Sequence, residues 1–137
     1  MSTTSTVQYL GNLRTTATHT RSGNTYTSDA PPDNNGKGEA FSPTDLCATS
    51  LASCAMTIMG IKANKTGIDL GEINAEVIKV MAAEPRRIAE VQIVFSFAGH
   101  YTADEKRSLE LAARNCPVAK SLHPDLVQAM EFVWLGG

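Results

Sequence analysis

Residues 42–61 read SPTDLCATSLASCAMTIMGI, and the predicted architecture is built around them. Ser42 suits the position just before a helix, Pro43 suits the first helical position, and Asp45 stands where a capping box needs an acid. From residue 46 to residue 61 the side chains are apolar or small on every face of a helix. A helix of this kind has to be surrounded by protein. We therefore predict a long buried helix at the centre of the fold.

Shorter elements are predicted on both sides of this helix. The segments before it are rich in threonine, which favours strands. After it, residues 73–81 and 88–97 are predicted as a hairpin, and the second arm shows clear alternation of apolar and polar residues. We predict a loop over residues 29–39, because their prolines, glycines and asparagines leave no periodic pattern. The predicted strands are residues 7–13, 14–21, 24–28, 73–81, 88–97 and 130–134, and the further helices are residues 102–115 and 117–122. This order is that of an α+β domain.

Composition and charge exclude several classes of protein. The chain has 137 residues, of which 42% are hydrophobic and 19% charged, so we expect one globular domain over residues 1–137. The net charge of −2 comes with no basic stripe, so we expect no nucleic-acid partner. The apolar run of the central helix is short for a membrane span, and residues 1–13 lack the features of a secretion signal. We expect a cytoplasmic protein with reduced thiols and no membrane partner.

Two cysteines are the residues that could carry chemistry. Cys54 lies well inside the central helix, where apolar burial raises the pKa of a thiol. Cys116 directly precedes Pro117, so the free N–H groups of a helix beginning there would favour its thiolate. If the two thiols meet, one can be oxidised by a peroxide to a sulfenic acid and the other can condense with it to a disulfide. Local chemistry alone favours Cys116 as the attacking thiol.

Purely structural roles remain open for all three cysteines, because a free cysteine is commonly a small buried hydrophobe. Cys47 lies two helical turns before Cys54, about 10 Å along the axis, which exceeds disulfide reach. His19, His100 and His123 form no metal-ligand spacing with the cysteines. We therefore expect neither a metal site nor a cofactor.

Three motifs resemble the osmotically inducible protein C and organic hydroperoxide resistance family, abbreviated OsmC/Ohr. They are SPTDL at residues 42–46, ASCAM at residues 52–56 and CPVAKSL at residues 116–122, in the order and at the spacing typical of that family. The resemblance implies an α+β, OsmC-like fold in which antiparallel sheets wrap a long buried central helix. It also implies an intertwined homodimer with sites at the interface.

The resemblance further implies a thiol-dependent peroxidase that reduces organic hydroperoxides or hydrogen peroxide. Cys54 matches the family's attacking thiol and Cys116 the resolving one, which reverses the ranking from local chemistry. Asp45 matches an acid that helps to hold an activating cation, although its role in the capping box is equally supported. In several members the electron donor is a small dithiol such as a lipoyl group. The implied partners are therefore a second copy, a small-molecule hydroperoxide and such a reductant.

One position departs from the family pattern. Peroxidase members carry an arginine about nine residues before the helix-opening proline, where this chain has Asn34. The remaining candidates for a cation partner are Lys37, Arg21, Arg86 and Arg87. Lysine lacks the planar fork that can bind a thiolate and a carboxylate together, and the two neighbouring arginines also suit a solvated turn. The missing arginine favours the alternative, a non-catalytic ligand-binding or structural dimer of the same fold.

Overall fold

The structure, a computed structural model, describes residues 2–137, and the chain forms two compact units. The first unit ends at Cys47 and the second begins at Ala48. The boundary falls inside the long helix α1, which spans Pro43–Thr66. The prediction of a single domain over residues 1–137 stays a prediction.

The first unit contains a three-stranded antiparallel sheet. Its strands are β1 (Ser5–Gly11), β2 (Arg14–His19) and β3 (Thr25–Asp29), in the order β1-β2-β3. They confirm the three strands predicted from the threonine-rich segments, whose β-branched side chains suit a pleated surface. Val7 pairs with Ala17 and Ala17 with Tyr26, so these three side chains share one face of the sheet.

The start of α1 shows the predicted capping box. The Asp45 N–H donates to the Ser42 hydroxyl at 3.0 Å, and the Ser42 N–H donates to a carboxylate oxygen of Asp45 at 3.0 Å. Two of the backbone donors that a helix start leaves unpaired are satisfied in this way. At the other end the helix stops before Gly67, whose φ of 72° lies in the left-handed region that glycine enters without strain.

The second unit contains a mixed three-stranded sheet. β4 (Ile73–Ala82) and β5 (Arg87–Phe97) form the predicted antiparallel pair, and β6 (Val127–Trp134) lies on the other side of β5. β6 runs parallel to β5, whereas only antiparallel sheets were predicted. The chain reaches β6 through two helices, α2 (Ala103–Arg114) and α3 (Pro117–Ser121). A crossover of that length brings a strand back in the parallel direction.

One face of this sheet supplies much of the core of the second unit. Alternate residues of β5 are almost fully buried, with exposures of 0% or 1%: Val91, Ile93, Phe95 and Phe97. Phe97 stacks on Trp134 of β6, with ring centroids 4.0 Å apart. Leu109 and Ala113 of α2 are also completely buried. The alternation from Val91 to Phe97 confirms the sequence pattern that predicted this strand, although Ala89, predicted on the same face, is only half-buried.

Helix α1 buries only one face in this chain. Its buried residues follow helical spacing: Ala48, Leu51, Ala52, Ala55, Met59 and Ala63. Ser53, Thr57 and Ile61 are exposed, the last of them by 44%. By length and composition alone α1 could cross a membrane, but the core helix of a soluble protein can be equally long and apolar. In this chain, 33% of the most apolar stretch of α1 is buried. The prediction of a helix surrounded by protein therefore holds for one face.

Candidate functional site

Cys54 and Cys116 meet inside the second unit. The side chain of Cys54 lies in hydrogen-bonding contact with the thiol of Cys116, and both cysteines are unbridged. Cys54 is half-buried on α1, whereas Cys116 is completely buried. The fold thus brings together the two thiols that the sequence singled out, which is the arrangement that a sulfenic acid and disulfide cycle requires.

Cys116 occupies the joint between α2 and α3. It is the residue just before α3, in an extended conformation with φ −66° and ψ 157°. Its N–H donates to the Ala113 carbonyl at 3.4 Å, and its carbonyl accepts from the Lys120 N–H at 3.1 Å. Pro117 begins α3, where a proline costs no hydrogen bond because that N–H would be unpaired anyway. The helix predicted after Cys116 is confirmed.

The joint is fastened to the last strand from both sides. The Gln128 side chain donates to the Ala119 carbonyl at 2.9 Å. The Arg114 guanidinium donates to the Met130 carbonyl at 3.4 Å and lies 5.1 Å from the ring centre of Phe132. These contacts hold the ends of α2 and α3 against β6. The position of the Cys116 sulfur is therefore set by the sheet as well as by the helices.

Burial raises the pKa of the Cys116 thiol above its ordinary value. The Ala119 N–H lowers that pKa, the hydrogen bond and charge of Cys54 raise it again, and the Val118 N–H lowers it slightly. The sulfur makes no side-chain cap hydrogen bond at the start of α3, but the Ala119 and Val118 N–H groups still favour its charged form. The result is opposite to the direction expected from the helix start. The expectation considered the dipole of α3, which lowers the pKa of Cys116, but not the burial of the thiol, which raises it.

Asp45, the acid of the predicted site, and Cys47, whose role the sequence left open, belong to the first unit. Asp45 engages Ser42 in the capping box, as described above, and its predicted role toward a cation stays a prediction. Cys47 is half-buried at the end of that unit.

The four predicted cation partners are exposed and lie in turns, loops or strand ends. Lys37 lies in the loop after β3, where its charge helps to lower the pKa of Asp29. Arg21 lies in the turn between β2 and β3. Arg86 lies in the turn between β4 and β5, and Arg87 begins β5 and donates to a backbone carbonyl at 3.2 Å. Which cation serves a cysteine thiolate stays a prediction.

Arg14 forms an ion-pair cluster that the sequence patterns did not predict. Its Nε and Nη2 atoms donate to the two carboxylate oxygens of Asp29, and Nη2 also donates to Glu39 at 3.0 Å. Hydrogen bonding from Arg14 holds the pKa of Asp29 below its ordinary value, although burial of the carboxylate opposes this. The same contacts raise the pKa of the guanidinium.

One signal in the sequence could have revealed the cluster. The turn at Ser22-Gly23-Asn24 fixes the register of β2 and β3, and that register sets Arg14 directly opposite Asp29. A basic and an acidic residue facing each other across neighbouring strands attract. Glu39 could not be found in this way, because it comes from the irregular loop after β3.

Two shallow depressions lie on the second sheet, away from the thiols. Their volumes are about 240 Å³ and 190 Å³, and their linings include Gln92, Val94 and Ser96 but no cysteine. Within residues 2–137, no three histidine, cysteine or acidic side chains are grouped so that they could hold a metal ion.

Comparison with known proteins gives a family match and a similar solved structure. Residues 36–129 match the family model described as OsmC-like protein. A crystal structure from Psychrobacter arcticus 273-4 is 53% identical in sequence, with a TM-score of 0.93 and 96% of each chain covered. It is described as a candidate osmotic stress induced and detoxification response protein.

More distant structures share the fold. An OsmC like protein from Mycoplasma pneumoniae is 17% identical, with a TM-score of 0.80 over 96% of this chain and 95% of that one. An organic hydroperoxide resistance protein, OsmC, from Legionella pneumophila is 16% identical, with a TM-score of 0.74 over 97% of each chain. No curated protein matches the sequence. The comparisons confirm the predicted α+β fold.

Proposed function

This chain belongs to the OsmC-like family, and from that premise we propose that it is a thiol-dependent peroxidase that reduces organic hydroperoxides. The observation that carries the proposal is the contact between the Cys54 side chain and the Cys116 thiol. Some structural relatives are named organic hydroperoxide resistance proteins, which supports the choice of substrate class.

The roles of the two thiols follow from their exposure. A half-buried Cys54 can be reached by a hydroperoxide, whereas a Cys116 with 0% exposure cannot. Burial also keeps Cys116 protonated by raising its pKa, and the thiolate is the nucleophile in such reactions. Cys54 is therefore the attacking thiol and Cys116 the resolving one.

The reaction proceeds in two steps. The Cys54 thiolate attacks the terminal oxygen of the hydroperoxide, so that an S–O bond forms and the O–O bond breaks. The organic part leaves as an alkoxide, which takes a proton from water to become an alcohol. Cys54 becomes a sulfenic acid. Cys116 then attacks the sulfur of that acid, a disulfide forms, and the oxygen leaves as water. A small dithiol of the lipoyl type returns both cysteines to the thiol state by thiol–disulfide exchange.

The proposal includes a homodimer in which a second copy covers the exposed face of α1. This helix is apolar or small on every face, yet Ile61 is 44% exposed in the single chain. The first sheet also presents exposed apolar side chains on one face, among them Val7 at 66% and Tyr26 at 51%. Apolar surfaces of this kind commonly mark protein–protein interfaces. A reducing cytoplasm is the compartment that suits free cysteines.

Peroxide consumption tests the enzymatic proposal. With cumene hydroperoxide and dihydrolipoamide, the wild-type protein is expected to turn over repeatedly, and Cys54→Ser to lose all activity. Cys116→Ser should consume one equivalent and retain a sulfenic acid, which dimedone traps for mass spectrometry. Cys47→Ser removes a thiol outside the pair and is the matched control that keeps turnover. Turnover by the Cys54 variant would refute the assignment, and an inert wild-type protein would support the non-catalytic dimer.

Sedimentation tests the dimer independently of catalysis. The wild-type protein should sediment as a dimer at micromolar concentration. Ile61→Glu places a charge on the exposed face of α1 and should shift the protein toward monomer. Lys62→Glu changes the charge at the next, exposed position of the same helix and is the control. A wild-type monomer would refute the homodimer.

A further inference from the structure

We propose that Gln128 is a positioning residue for the disulfide-forming step: it holds helix α3 against β6 and so keeps the Cys116 sulfur where it can condense with the oxidised Cys54. The proposal rests on the peroxidase function above and deepens it. It concerns a choice that follows the first oxidation. The Cys54 sulfenic acid either forms a disulfide with Cys116 or is oxidised further by a second hydroperoxide.

Helix α3 has little core packing of its own. None of its five residues, Pro117–Ser121, all of them described by the structure, is buried. The Cys116 side chain just before it makes no cap hydrogen bond to it either. The preceding helix α2 is different, because Leu109 and Ala113 anchor it in the core. Cys116 therefore lies between one helix that the core holds and one that needs another attachment.

The side chain of Gln128 supplies that attachment. Its Nε2 atom donates to the carbonyl of Ala119, in the middle of α3, at 2.9 Å. Gln128 pairs with Val91 in the register of β5 and β6, so its side chain lies on the sheet face that carries the buried Val91. Gln128 is itself half-buried. Water therefore competes only in part for this hydrogen bond, which restrains α3 from the side of the sheet.

The restraint reaches Cys116 through the backbone. The Cys116 carbonyl accepts the Lys120 N–H at 3.1 Å, which ties Cys116 to the first turn of α3. Ala119, the residue that Gln128 holds, lies in that same turn. On the other side, the Cys116 N–H donates to the Ala113 carbonyl at 3.4 Å. A shift of α3 therefore moves Cys116 relative to α2, and it changes the distance between the two sulfur atoms.

Disulfide formation makes strict demands on the position of both sulfur atoms. The Cys54 side chain is in hydrogen-bonding contact with the Cys116 thiol, but an S–S bond is shorter than such a contact and has a preferred dihedral angle. Holding two reacting groups close to that geometry accelerates the reaction between them. Oxidation by a second hydroperoxide needs no such placement of Cys116, because the hydroperoxide comes from solution. Loosening of Cys116 therefore favours the further oxidation of Cys54.

Atoms and electrons balance along both routes. In the first, the Cys116 sulfur attacks the Cys54 sulfur, the S–O bond breaks, and the OH group takes the proton of the Cys116 thiol and leaves as water. In the second, the sulfur of the Cys54 sulfenic acid attacks the terminal oxygen of another hydroperoxide and is oxidised by two electrons to a sulfinic acid. The O–O bond breaks, and the alkoxide takes the proton released at the new sulfinic acid and leaves as an alcohol.

The competing possibility is that Cys116 stays in place without Gln128. Residues 122–126 alone join α3 to β6, and a short connection also restrains a helix. The Cys116 side chain is itself completely buried. If these two features suffice, loss of the Gln128 amide leaves disulfide formation unchanged. The rates of the two steps in a Gln128 variant therefore separate the possibilities.

A single-turnover experiment measures the two steps. In a Cys47→Ser background, the protein is mixed with one equivalent of cumene hydroperoxide, quenched with acid at intervals and weighed intact by mass spectrometry. Loss of the reduced form reports the first step, and conversion of the sulfenic acid to the disulfide reports the second. Gln128→Met keeps the length of the side chain but removes the donor. It should leave the first rate within about twofold and slow the second about fivefold, the factor expected for one neutral hydrogen bond.

Excess hydroperoxide gives a second readout. Gln128→Met should accumulate the Cys54 sulfinic acid at about one-fifth of the hydroperoxide concentration that the parent requires, because its sulfenic acid persists longer. Gln128→Asn is the second variant, since its amide is one carbon too short to reach the Ala119 carbonyl. It should show the same slow second step and the same sensitivity to excess hydroperoxide.

Gln92→Met is the matched control for the loss of an amide. Gln92 follows the buried Val91 on β5, so its side chain points to the opposite face of the same sheet. There its amide donates to the carboxylate of Glu90 at 3.3 Å. Gln92→Met should therefore match the parent in both rates and in its sensitivity to excess hydroperoxide.

The outcomes separate this proposal from the peroxidase function itself. A second step as fast in both Gln128 variants as in the parent would overturn the role of Gln128 and leave the peroxidase intact. Equal slowing of both steps, or the same change in Gln92→Met, would also overturn it, since a general loosening of the fold explains either result. A parent protein that forms no sulfenic acid with any hydroperoxide refutes both proposals.

Discussion

The guanidinium of Arg14 on β2 donates two hydrogen bonds to the carboxylate of Asp29 on β3, at 2.7 Å and 2.9 Å. Asp29 is 1% exposed, and one of its oxygens also accepts the backbone N–H of Glu39 at 3.1 Å. The Asp29 N–H donates to the Phe41 carbonyl at 3.1 Å. Both ends of the loop that follows β3 are therefore tied to one buried carboxylate residue. Bidentate pairing of this kind is stronger than a simple ion pair.

Loss of Arg14 should destabilise the protein markedly. Arg14→Met keeps much of the side-chain volume but leaves the buried Asp29 carboxylate without its main donor, which is costly. Urea denaturation should show a clearly lower midpoint. Arg107→Met, which removes an exposed ion pair with Asp104, is the control and should change the midpoint little. Equal midpoints for the two variants would show that the Asp29 pair contributes nothing.

The same pair should make stability depend on acid pH. The pKa of Asp29 is lowered in the folded state from an ordinary 3.8. The stabilisation that this ion pair gives is therefore fully present above the ordinary pKa of Asp29, and it is lost as pH falls through the lowered pKa of the folded state. Denaturation curves measured from pH 5 downward should show a steeper loss for the wild-type protein than for Asp29→Asn. Asp104→Asn removes an exposed carboxylate and is the matched control. If the stability of Asp29→Asn falls with pH as steeply as that of the wild-type protein, this prediction is contradicted.

The cap of α2 should contribute measurably to stability. The Thr102 hydroxyl accepts the Glu105 N–H at 3.1 Å, and the Glu105 carboxylate accepts the Thr102 N–H at 2.8 Å. Thr102→Ala should lower the free energy of unfolding by about 1 kcal/mol. Ser108→Ala puts alanine inside the same helix, where its propensity is favourable, and should be neutral or slightly stabilising. Similar losses in both variants would argue against the cap.

Two leucines of α2 should differ sharply in their contribution. Leu109 is completely buried, whereas Leu111, two residues later, is 66% exposed. Leu109→Ala removes core packing and should cost about 2–5 kcal/mol. Leu111→Ala should change the free energy of unfolding by no more than about 0.5 kcal/mol. The comparison is made by urea denaturation of both variants. A large loss on Leu111→Ala would instead reveal that this surface is covered in solution.

Alkylation of the native protein should distinguish the three cysteines. Cys116 is completely buried and its pKa is raised, so it should react last with iodoacetamide. Cys47 and Cys54 are half-buried and should react earlier. Peptide mapping after timed quenching gives the order, and full alkylation in urea serves as the reference. Early labelling of Cys116 would contradict the burial described here.

The local elements of this protein were predictable because each depends on neighbours in sequence. The capping box of Ser42 and Asp45 involves residues three apart, and the alternation along β5 reflects the geometry of a single strand. The direction of β6 was not predictable in the same way. It depends on the crossover through α2 and α3, and no pattern within β6 reports which end of β5 the chain has reached.

The chain sequence alone thus determined the long helix, the strand pair and the two cysteines with chemical potential, because helix capping and side-chain periodicity are local properties. Only the tertiary structure decided that the Cys54 side chain touches the Cys116 thiol, and that burial outweighs the helix dipole at Cys116. It also decided that Arg14 is engaged with Asp29. These outcomes depend on distances and desolvation between residues far apart in the chain, which exist only once the chain has folded.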